Sequence, residues 1–182
     1  GDDGGADGGG EWEQVDSFPS EAYPAFTDGN WSGVPSPALA ADAASLASIS
    51  ISDPGLCGRF TARVLSGVPS GSSPEWMQRR LALCGMRPIS AVVDVSNYVM
   101  LEYGQPNHTY DLAKVGGSHL GVRRARSGES IVTLDGQSRG LDSDDGVIVD
   151  GNDTPIGLAG VMGGASTEIS DTTGDVLVEL AW

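Results

Sequence analysis

The order of helix-like and strand-like segments is the feature that most constrains the fold. From Gly121 onward, short runs of β-branched residues alternate with Gly and Asp, as in GVRRARSG, SIVTLDG, GVIVDG, IGLAGV and DVLVELAW. This pattern predicts at least five strands, and two helix-like segments precede them. Helices followed by a run of strands are typical of an α+β protein and not of alternating βαβ units. We therefore predict an α+β fold, with a β-rich mixed sheet core and two or more helices packed on one side.

Both helices are indicated by their start and stop signals. Ser73-Pro74-Glu75 combines an N-cap residue, a proline at the first helical position and an acid in the first turn, and Gly85 ends the segment. A second helix is predicted from about Ala91 to Tyr103, with Gly104 as its stop and a loop carrying His108 after it. We expect the apolar residues of these helices to be buried against the sheet: Trp76, Met77, Leu81, Val92, Val95 and Val99.

The N-terminal part differs in composition from the rest of the chain. Residues 1–48 are rich in Gly, Ala, Pro, Ser and Asp without a sustained period, which indicates a flexible or loosely docked linker. Apolar residues alternate in two runs that predict strands: Ile49 and Ile51, then Phe60, Ala62 and Val64. A turn signal at Asp53-Pro54-Gly55 separates the two runs. We therefore place the ordered domain at residues 49–182.

Composition and charge exclude several classes of protein. The 182 residues contain no apolar run near the roughly 20 residues of a membrane helix, and the start GDDGGADGGG lacks the features of a secretory signal, so we expect a cytoplasmic protein without a membrane partner. The net charge of −15 is incompatible with a broad duplex-binding face, so any nucleic-acid contact must be local. Cys57 and Cys84 are predicted to be buried, reduced thiols.

The arginines fall into two groups, which could provide such local contacts. One group is Arg79 with Arg80, and the other comprises Arg123, Arg124 and Arg126. Each group is either a solvated helix or strand face or a phosphate contact, and the solvated face is the commoner outcome.

Motifs for metals, nucleotides and serine nucleophiles fail on spacing. LDSDDGVIVDGND places its Gly one position too early for a calcium loop and lacks the closing Glu. GLAGVMGG is not the dinucleotide fingerprint, no G-x-S-x-G is present, and His108 with His119 does not by itself make a metal pair. We therefore predict no metal and no cofactor in this segment.

The remaining candidate residues each have a structural and a functional interpretation. His108 is either a turn histidine or a site residue, and Glu179 shares a strand face with Leu177 and Ala181 either as a rim charge or as the acceptor for a buried hydroxyl. Each of the other candidates is likewise either a turn or surface residue or part of a pocket: Arg87, Ser96, Asn97, Gly160, Gly163 and Gly164.

Four stretches of the sequence resemble a known family: SPEWMQRRLALCGMRPISAVVDVSNYVMLEYGQPNHTYD, VRRARSGESIVTLDG, LAGVMGGASTEISD and VLVEL. In this order and at these spacings they are similar to the editing (B3/B4) region of the β subunit of bacterial phenylalanine–tRNA ligase. The resemblance covers roughly residues 50–182. The family usually has Thr at the position of Ser96, Ala-Phe at Thr109-Tyr110 and Phe at Trp182.

The resemblance implies hydrolysis of tyrosine mis-attached to tRNA(Phe). A pocket for phenylalanine rejects a hydroxylated isostere by only about 10², so a second site must remove tyrosine. In the family this site positions a water, with His108 and Asn97 at the catalytic positions and Glu179 as acceptor of the tyrosine hydroxyl. The resemblance places the other candidates in substrate binding: Arg87, Ser96, Gly160, Gly163 and Gly164.

The same resemblance implies partners and limits. The partners are the 3′ end of tRNA(Phe), free or esterified tyrosine, and a ligase α subunit in an α₂β₂ assembly; ATP and Mg²⁺ are expected for the whole enzyme. Because the family's editing region continues past the strand that contains Glu179, we expect a domain truncated at its C-terminal end that is inactive in isolation. Two alternatives are a tRNA-contacting or inter-subunit scaffold that has kept the fold, and a free-standing editing factor.

Overall fold

A computed structural model describes residues 43–182. Residues 1–42, and with them most of the linker predicted for residues 1–48, lie outside the described residues. Three α-helices occur in the described part: α1 (Ala43–Leu46), α2 (Glu75–Leu83) and α3 (Ala91–Tyr103). Short 3₁₀ turns follow at Leu112–Lys114, Gly116–Ser118 and Ala165–Thr167. In residues 43–182 no helix combines the length and apolarity needed to cross a bilayer.

Ten strands make up the β-structure of residues 43–182. They are β1 (Ser48–Ile51), β2 (Phe60–Leu65), β3 (His108–Asp111), β4 (His119–Arg124), β5 (Ser130–Val132), β6 (Ser138–Gly140), β7 (Gly146–Val149), β8 (Pro155–Leu158), β9 (Met162–Gly163) and β10 (Val176–Ala181). A five-stranded mixed sheet has the order β1-β4-β7-β8-β9, in which only the β1–β4 pair is parallel. An antiparallel sheet has the order β2-β10-β3, and β5 pairs with β6. The predicted α+β class is confirmed.

The helix boundaries follow the predicted signals, with one difference. The Ser90 hydroxyl accepts a hydrogen bond from the Val93 N–H and caps α3, which ends at Gly104 in the left-handed conformation. Ser73, predicted to cap α2, makes no cap; its hydroxyl donates to Asp94, and Pro74 stands at the cap position. The two helices are thereby connected at their N-terminal ends.

The prediction that six apolar helix residues are buried is wrong for half of them. Met77 and Leu81 are buried and Val92 is partly buried, but Trp76, Val95 and Val99 are 38%, 46% and 36% exposed. The reason is that α3 covers the outer face of the β2-β10-β3 sheet incompletely, and an apolar groove remains between them. Trp76 lies against the α2–α3 contact, with its ring edge-to-face with another aromatic side chain.

The main core lies where the inner faces of the two larger sheets meet. It includes buried residues of both sheets and the turn before β2: Cys57, Phe60, Tyr110, Leu120, Val122, Ile148, Ile156 and Leu177. Both cysteines are free, as predicted, but only Cys57 is buried. The predicted burial of Cys84 is wrong, because this residue follows the last turn of α2 and is exposed there.

Candidate functional site

A small cavity opens between the two larger sheets. Its volume is about 230 Å³, and its walls come from α3, the loop before β3, strands β3 and β10, and the β8–β9 hairpin with the end of β7. Pockets for drug-sized ligands measure about 300–1,000 Å³, so this cavity suits a single small group such as one amino-acid side chain. The titratable residues that line it are His108, Tyr110 and Glu179.

Strand pairing brings these three side chains together. The loop predicted to carry His108 is in fact strand β3, which pairs antiparallel with β10. The register places His108 directly opposite Glu179, and Tyr110, two residues after His108, projects from the same face. Local turn signals at Pro106 suggested a loop, but pairing with a buried central strand determines the conformation here.

Glu179 is a buried carboxylate with a phenol as its partner. Its side chain is 8% exposed, and the Tyr110 hydroxyl donates a 2.7 Å hydrogen bond to its Oε2. Burial raises the pKa of Glu179, and the bond from Tyr110 acts in the opposite direction. Burial and the neighbouring carboxylate raise the pKa of Tyr110, so the phenol remains a donor.

His108 is an uncharged imidazole in this cavity. Burial lowers its pKa to about 4, so the ring is neutral near physiological pH. The ring lies edge-to-face with Tyr110, with 4.6 Å between ring centroids. A Cβ on Gly163 would overlap the imidazole, so only a glycine at this position leaves room for the ring. A neutral imidazole can accept or donate a proton at a bound water or ester.

The other two candidate glycines differ in role. Gly160 lines the cavity and also occupies the turn between β8 and β9 with a φ of 71°. It is therefore both a pocket residue and a turn residue. Gly164 does not line the cavity. A Cβ there would lie 2.6 Å from the carbonyl oxygen of Ile156, so this glycine permits close backbone packing.

The remaining sequence candidates lie outside the cavity walls. Arg87 is exposed in the segment between α2 and α3, and Asn97 is partly buried on α3 without lining the cavity. Ser96 lines the apolar groove instead, and its hydroxyl donates 2.6 Å to the amide oxygen of Asn107, which borders the cavity. Of the eight predicted site residues, the structure therefore brings together four around the cavity: His108, Gly160, Gly163 and Glu179.

The sequence interpretation missed Tyr110 and Asn107 as cavity residues. A signal for Tyr110 was present, because a strand starting at His108 places every second residue on the same face. It was overlooked because the segment was interpreted as a loop. Asn107 had no such signal, since its position depends on two hydrogen bonds with Ser96.

The second arginine group has protein partners. Arg123 is buried and donates to both carboxylate oxygens of Glu129 and to Asp153, and Arg126 also pairs with Asp153. Arg124 pairs with Asp53 on the surface. These contacts favour the structural interpretation of this group over phosphate contact.

The chain is thus an α+β domain with a side-chain-sized cavity that holds a buried carboxylate and a neutral imidazole. Comparison with known families identifies it further. The model of the B3/4 domain family matches residues 56–182, and the chain belongs to this family, as the sequence resemblance predicted.

Individual relatives agree with the family assignment. The chain is 51% identical over 140 residues to the phenylalanine–tRNA ligase β subunit of Symbiobacterium thermophilum, and 56% identical over 137 residues to that of Streptomyces avermitilis. These matches cover 77% and 73% of this chain but 16% of each relative, so the chain spans about a sixth of their length.

A solved structure supports the fold alone. An N-terminal fragment of the phenylalanyl-tRNA synthetase β subunit from Pyrococcus horikoshii superimposes with a TM-score of 0.53 at 9% identity. The match covers 74% of this chain and 42% of that one.

Proposed function

We propose that this chain is part of a phenylalanine–tRNA ligase β subunit and forms the site at which the complete subunit hydrolyses tyrosine mis-attached to tRNA(Phe). The observation that carries the proposal is the buried Glu179 carboxylate, opposite a neutral His108, in a cavity of side-chain size. A buried carboxylate is retained where a partner satisfies it, and the hydroxyl of a tyrosine side chain is such a partner.

Glu179 supplies the selectivity in this proposal. The tyrosine hydroxyl donates a hydrogen bond to the Glu179 carboxylate. Phenylalanine has no hydroxyl, so the carboxylate receives no hydrogen bond from it. Sites that recognise a hydroxyl in this way can disfavour the analogue without it by about 10⁴. Correctly attached phenylalanine therefore escapes hydrolysis.

His108 supplies the chemistry, because within residues 43–182 the lining of the cavity contains no Ser, Thr, Cys or Lys to act as a nucleophile. Water is then the nucleophile, and the neutral imidazole positions it or the ester and accepts a proton. A positioned general acid or base typically contributes about 10²- to 10⁴-fold. Asn97, Ser96 and Arg87 act in this scheme from outside the cavity, at the approach of the tRNA 3′ end.

The rest of the assembly belongs to the same proposal. The partners are an α subunit in an α₂β₂ complex and the tRNA(Phe) 3′ end, in the cytoplasm. ATP and Mg²⁺ serve amino-acid activation by the whole ligase and have no role in this segment. Hydrolysis requires the complete β subunit.

A second candidate function is a non-catalytic scaffold or tRNA-contacting module. It is favoured by the hydrogen bond from Tyr110, because a phenol of the chain itself already satisfies one oxygen of Glu179. In this case the cavity is only a remnant of a binding site.

Deacylation of tyrosyl-tRNA(Phe) by the complete ligase distinguishes the two candidates. We expect hydrolysis above the spontaneous rate, and His108→Ala should slow it by at least about tenfold while phenylalanine attachment is nearly unchanged. His119→Ala is the matched control, since this second histidine bonds Ser48 and Ser50 away from the cavity. A wild-type complex without hydrolysis would support the scaffold.

A further inference from the structure

Tyr110 is the residue of the cavity whose position is most firmly determined. It lies on β3, it is 1% exposed, and it packs in the core between the two sheets. Its hydroxyl reaches the Glu179 Oε2 at 2.7 Å, while its ring contacts His108 edge-to-face. A residue packed in this way cannot swing aside when a ligand enters, so it acts as a fixed support for its neighbours.

The hydrogen bond from Tyr110 occupies one oxygen of the carboxylate and leaves the other for a ligand. An ionised carboxylate can accept about four hydrogen bonds on its two oxygens. With one bond from Tyr110 to Oε2, the Glu179 carboxylate keeps acceptor capacity for a ligand in the cavity that it lines. The phenol of the protein therefore orients the carboxylate and does not prevent it from accepting a second phenol.

The same bond is the polar contact that favours the ionised form of Glu179. Burial opposes ionisation, and none of the described residues that line the cavity is a cationic side chain. The titratable groups facing Glu179 are His108 and Tyr110 from β3; the facing residues of the other elements, including Ala62 of β2, Met100 of α3 and Gly157 and Met162 of the hairpin, do not titrate. His108 is neutral, so Tyr110 is the facing group that stabilises the charge.

We propose that Tyr110 is a positioning residue that orients the Glu179 carboxylate and favours its ionised form, and thereby strengthens the preference of the cavity for a hydroxylated aromatic side chain. This inference rests on the proposed function for its biological role. Its physical content concerns only the recognition of a phenol over a benzene ring.

The first test is a carbon-13 NMR titration of the glutamate carboxyl groups in the 182-residue chain, with Glu179→Gln used to assign the Glu179 resonance. Tyr110→Phe removes only the hydroxyl, and we expect the Glu179 titration midpoint to rise by about one pH unit. The matched control is Tyr98→Phe on α3. This substitution also removes a hydrogen-bonded hydroxyl, because the Tyr98 hydroxyl accepts a bond from Arg80. An unchanged midpoint in Tyr110→Phe, or an equal rise in both variants, would overturn the inference.

The second test measures binding of p-cresol and toluene, which correspond to the side chains of tyrosine and phenylalanine. The wild-type chain should prefer p-cresol, and Tyr110→Phe should reduce this preference by about tenfold near neutral pH, with recovery at higher pH as Glu179 ionises. Tyr98→Phe should retain the preference. A role in packing alone would weaken both probes equally at every pH, and that result would refute the inference, as would a wild-type chain without preference.

The two tests separate this inference from the proposed function. If the NMR shift and the p-cresol preference are found but the ligase does not hydrolyse tyrosyl-tRNA, editing is excluded and the role of Tyr110 is established. If hydrolysis is found without an NMR shift, editing stands and the role of Tyr110 is refuted.

Discussion

Two groups of carboxylates in residues 43–182, a partly exposed one around the buried Arg123 and the buried Glu179 of the cavity, are stabilised in opposite ways. Around Arg123, the carboxylates of Glu129 and Asp153 accept charged hydrogen bonds of 2.7–2.9 Å, and the arginine lowers the pKa of both. In the cavity, Glu179 receives a bond from the uncharged Tyr110, and burial raises its pKa. One arrangement is neutralised by a cation, whereas the other is not.

This difference separates a structural group from a candidate binding group. A carboxylate paired with a bidentate arginine has its acceptor oxygens occupied and holds two chain segments together. A buried carboxylate with a single neutral partner retains acceptor capacity and is sensitive to what enters its cavity.

The largest effect is expected for Glu179→Ala in the complete ligase. The preference for tyrosyl over phenylalanyl esters should fall by about 10², mainly because tyrosine hydrolysis weakens. Rates of deacylation of the two aminoacyl-tRNAs measure this ratio. Glu129→Ala is the matched control and should leave the ratio unchanged while lowering the free energy of unfolding. Equal effects of the two substitutions on the ratio would remove the distinction.

The next effect is on stability, and it belongs to the other arrangement. Arg123→Met keeps the apolar stem but leaves Glu129 without its bidentate partner and Asp153 with Arg126 alone, so the free energy of unfolding should fall by about 2 kcal/mol. Urea unfolding of the chain measures it. Arg124→Met is the control: this side chain is 47% exposed in its pair with Asp53, and we expect a change within about 0.5 kcal/mol. A loss no larger than that of the control would contradict the structural role of Arg123.

The sequence predicted the elements better than their contacts. The extent of α3 from Ala91 to Tyr103, its stop at Gly104 and most of the later strands follow from local patterns of apolar periodicity, turn residues and β-branched runs. The resemblance to a family also placed His108, Gly163 and Glu179 together, and the structure brings them to one cavity. Their catalytic and binding roles remain predictions.

What the sequence did not provide is pairing over long distances. Arg123 and Asp153 are 30 residues apart and Tyr110 and Glu179 are 69 apart, so neither contact leaves a local signal. The exposure of Val95 and Val99 has a similar origin, because periodicity shows which residues share a helix face but not how far the sheet extends beneath it.

A smaller effect on tyrosyl-tRNA hydrolysis is expected for a substitution of Gly163. A side chain at this position would fill the space of the imidazole while His108 itself is unchanged. Gly163→Ala would displace the ring, and tyrosyl-tRNA hydrolysis should fall by about tenfold because a slightly misplaced catalytic group loses most of its contribution. Gly174→Ala is the control, since nothing lies within 4 Å of a Cβ there. If the two variants hydrolyse the ester equally fast, the imidazole is not confined by this wall.

The smallest effect concerns how acid affects the two arrangements. The pKa of His108 falls from 6.5 in the unfolded chain to about 4 in the folded protein, so the unfolded chain binds the proton first, and stability decreases as the pH falls through this window. Glu179 has the opposite effect on stability, because its pKa is higher in the folded protein than in the unfolded chain. As the pH falls from the folded-state pKa to 4.5, protonation of Glu179 stabilises the folded protein. Glu129 and Asp153, whose pKa values are lowered, lose their contribution only at lower pH.

The contribution of His108 can be isolated in a Glu179→Gln background, which removes the opposing titration. When the pH is lowered from about 7 to 5, the free energy of unfolding of this variant should fall by about 1 kcal/mol more than that of the double variant that also carries His108→Asn. This figure includes a reduction for solvent access to the partly buried ring. Urea unfolding at both pH values provides the comparison. The same pair of measurements in an Arg123→Met background should give the same difference, because the two arrangements share no residue and lie in separate parts of the sheet structure. If the difference disappears in that background, the cavity and the arginine cluster are energetically coupled, and the separation between a structural and a binding carboxylate does not hold.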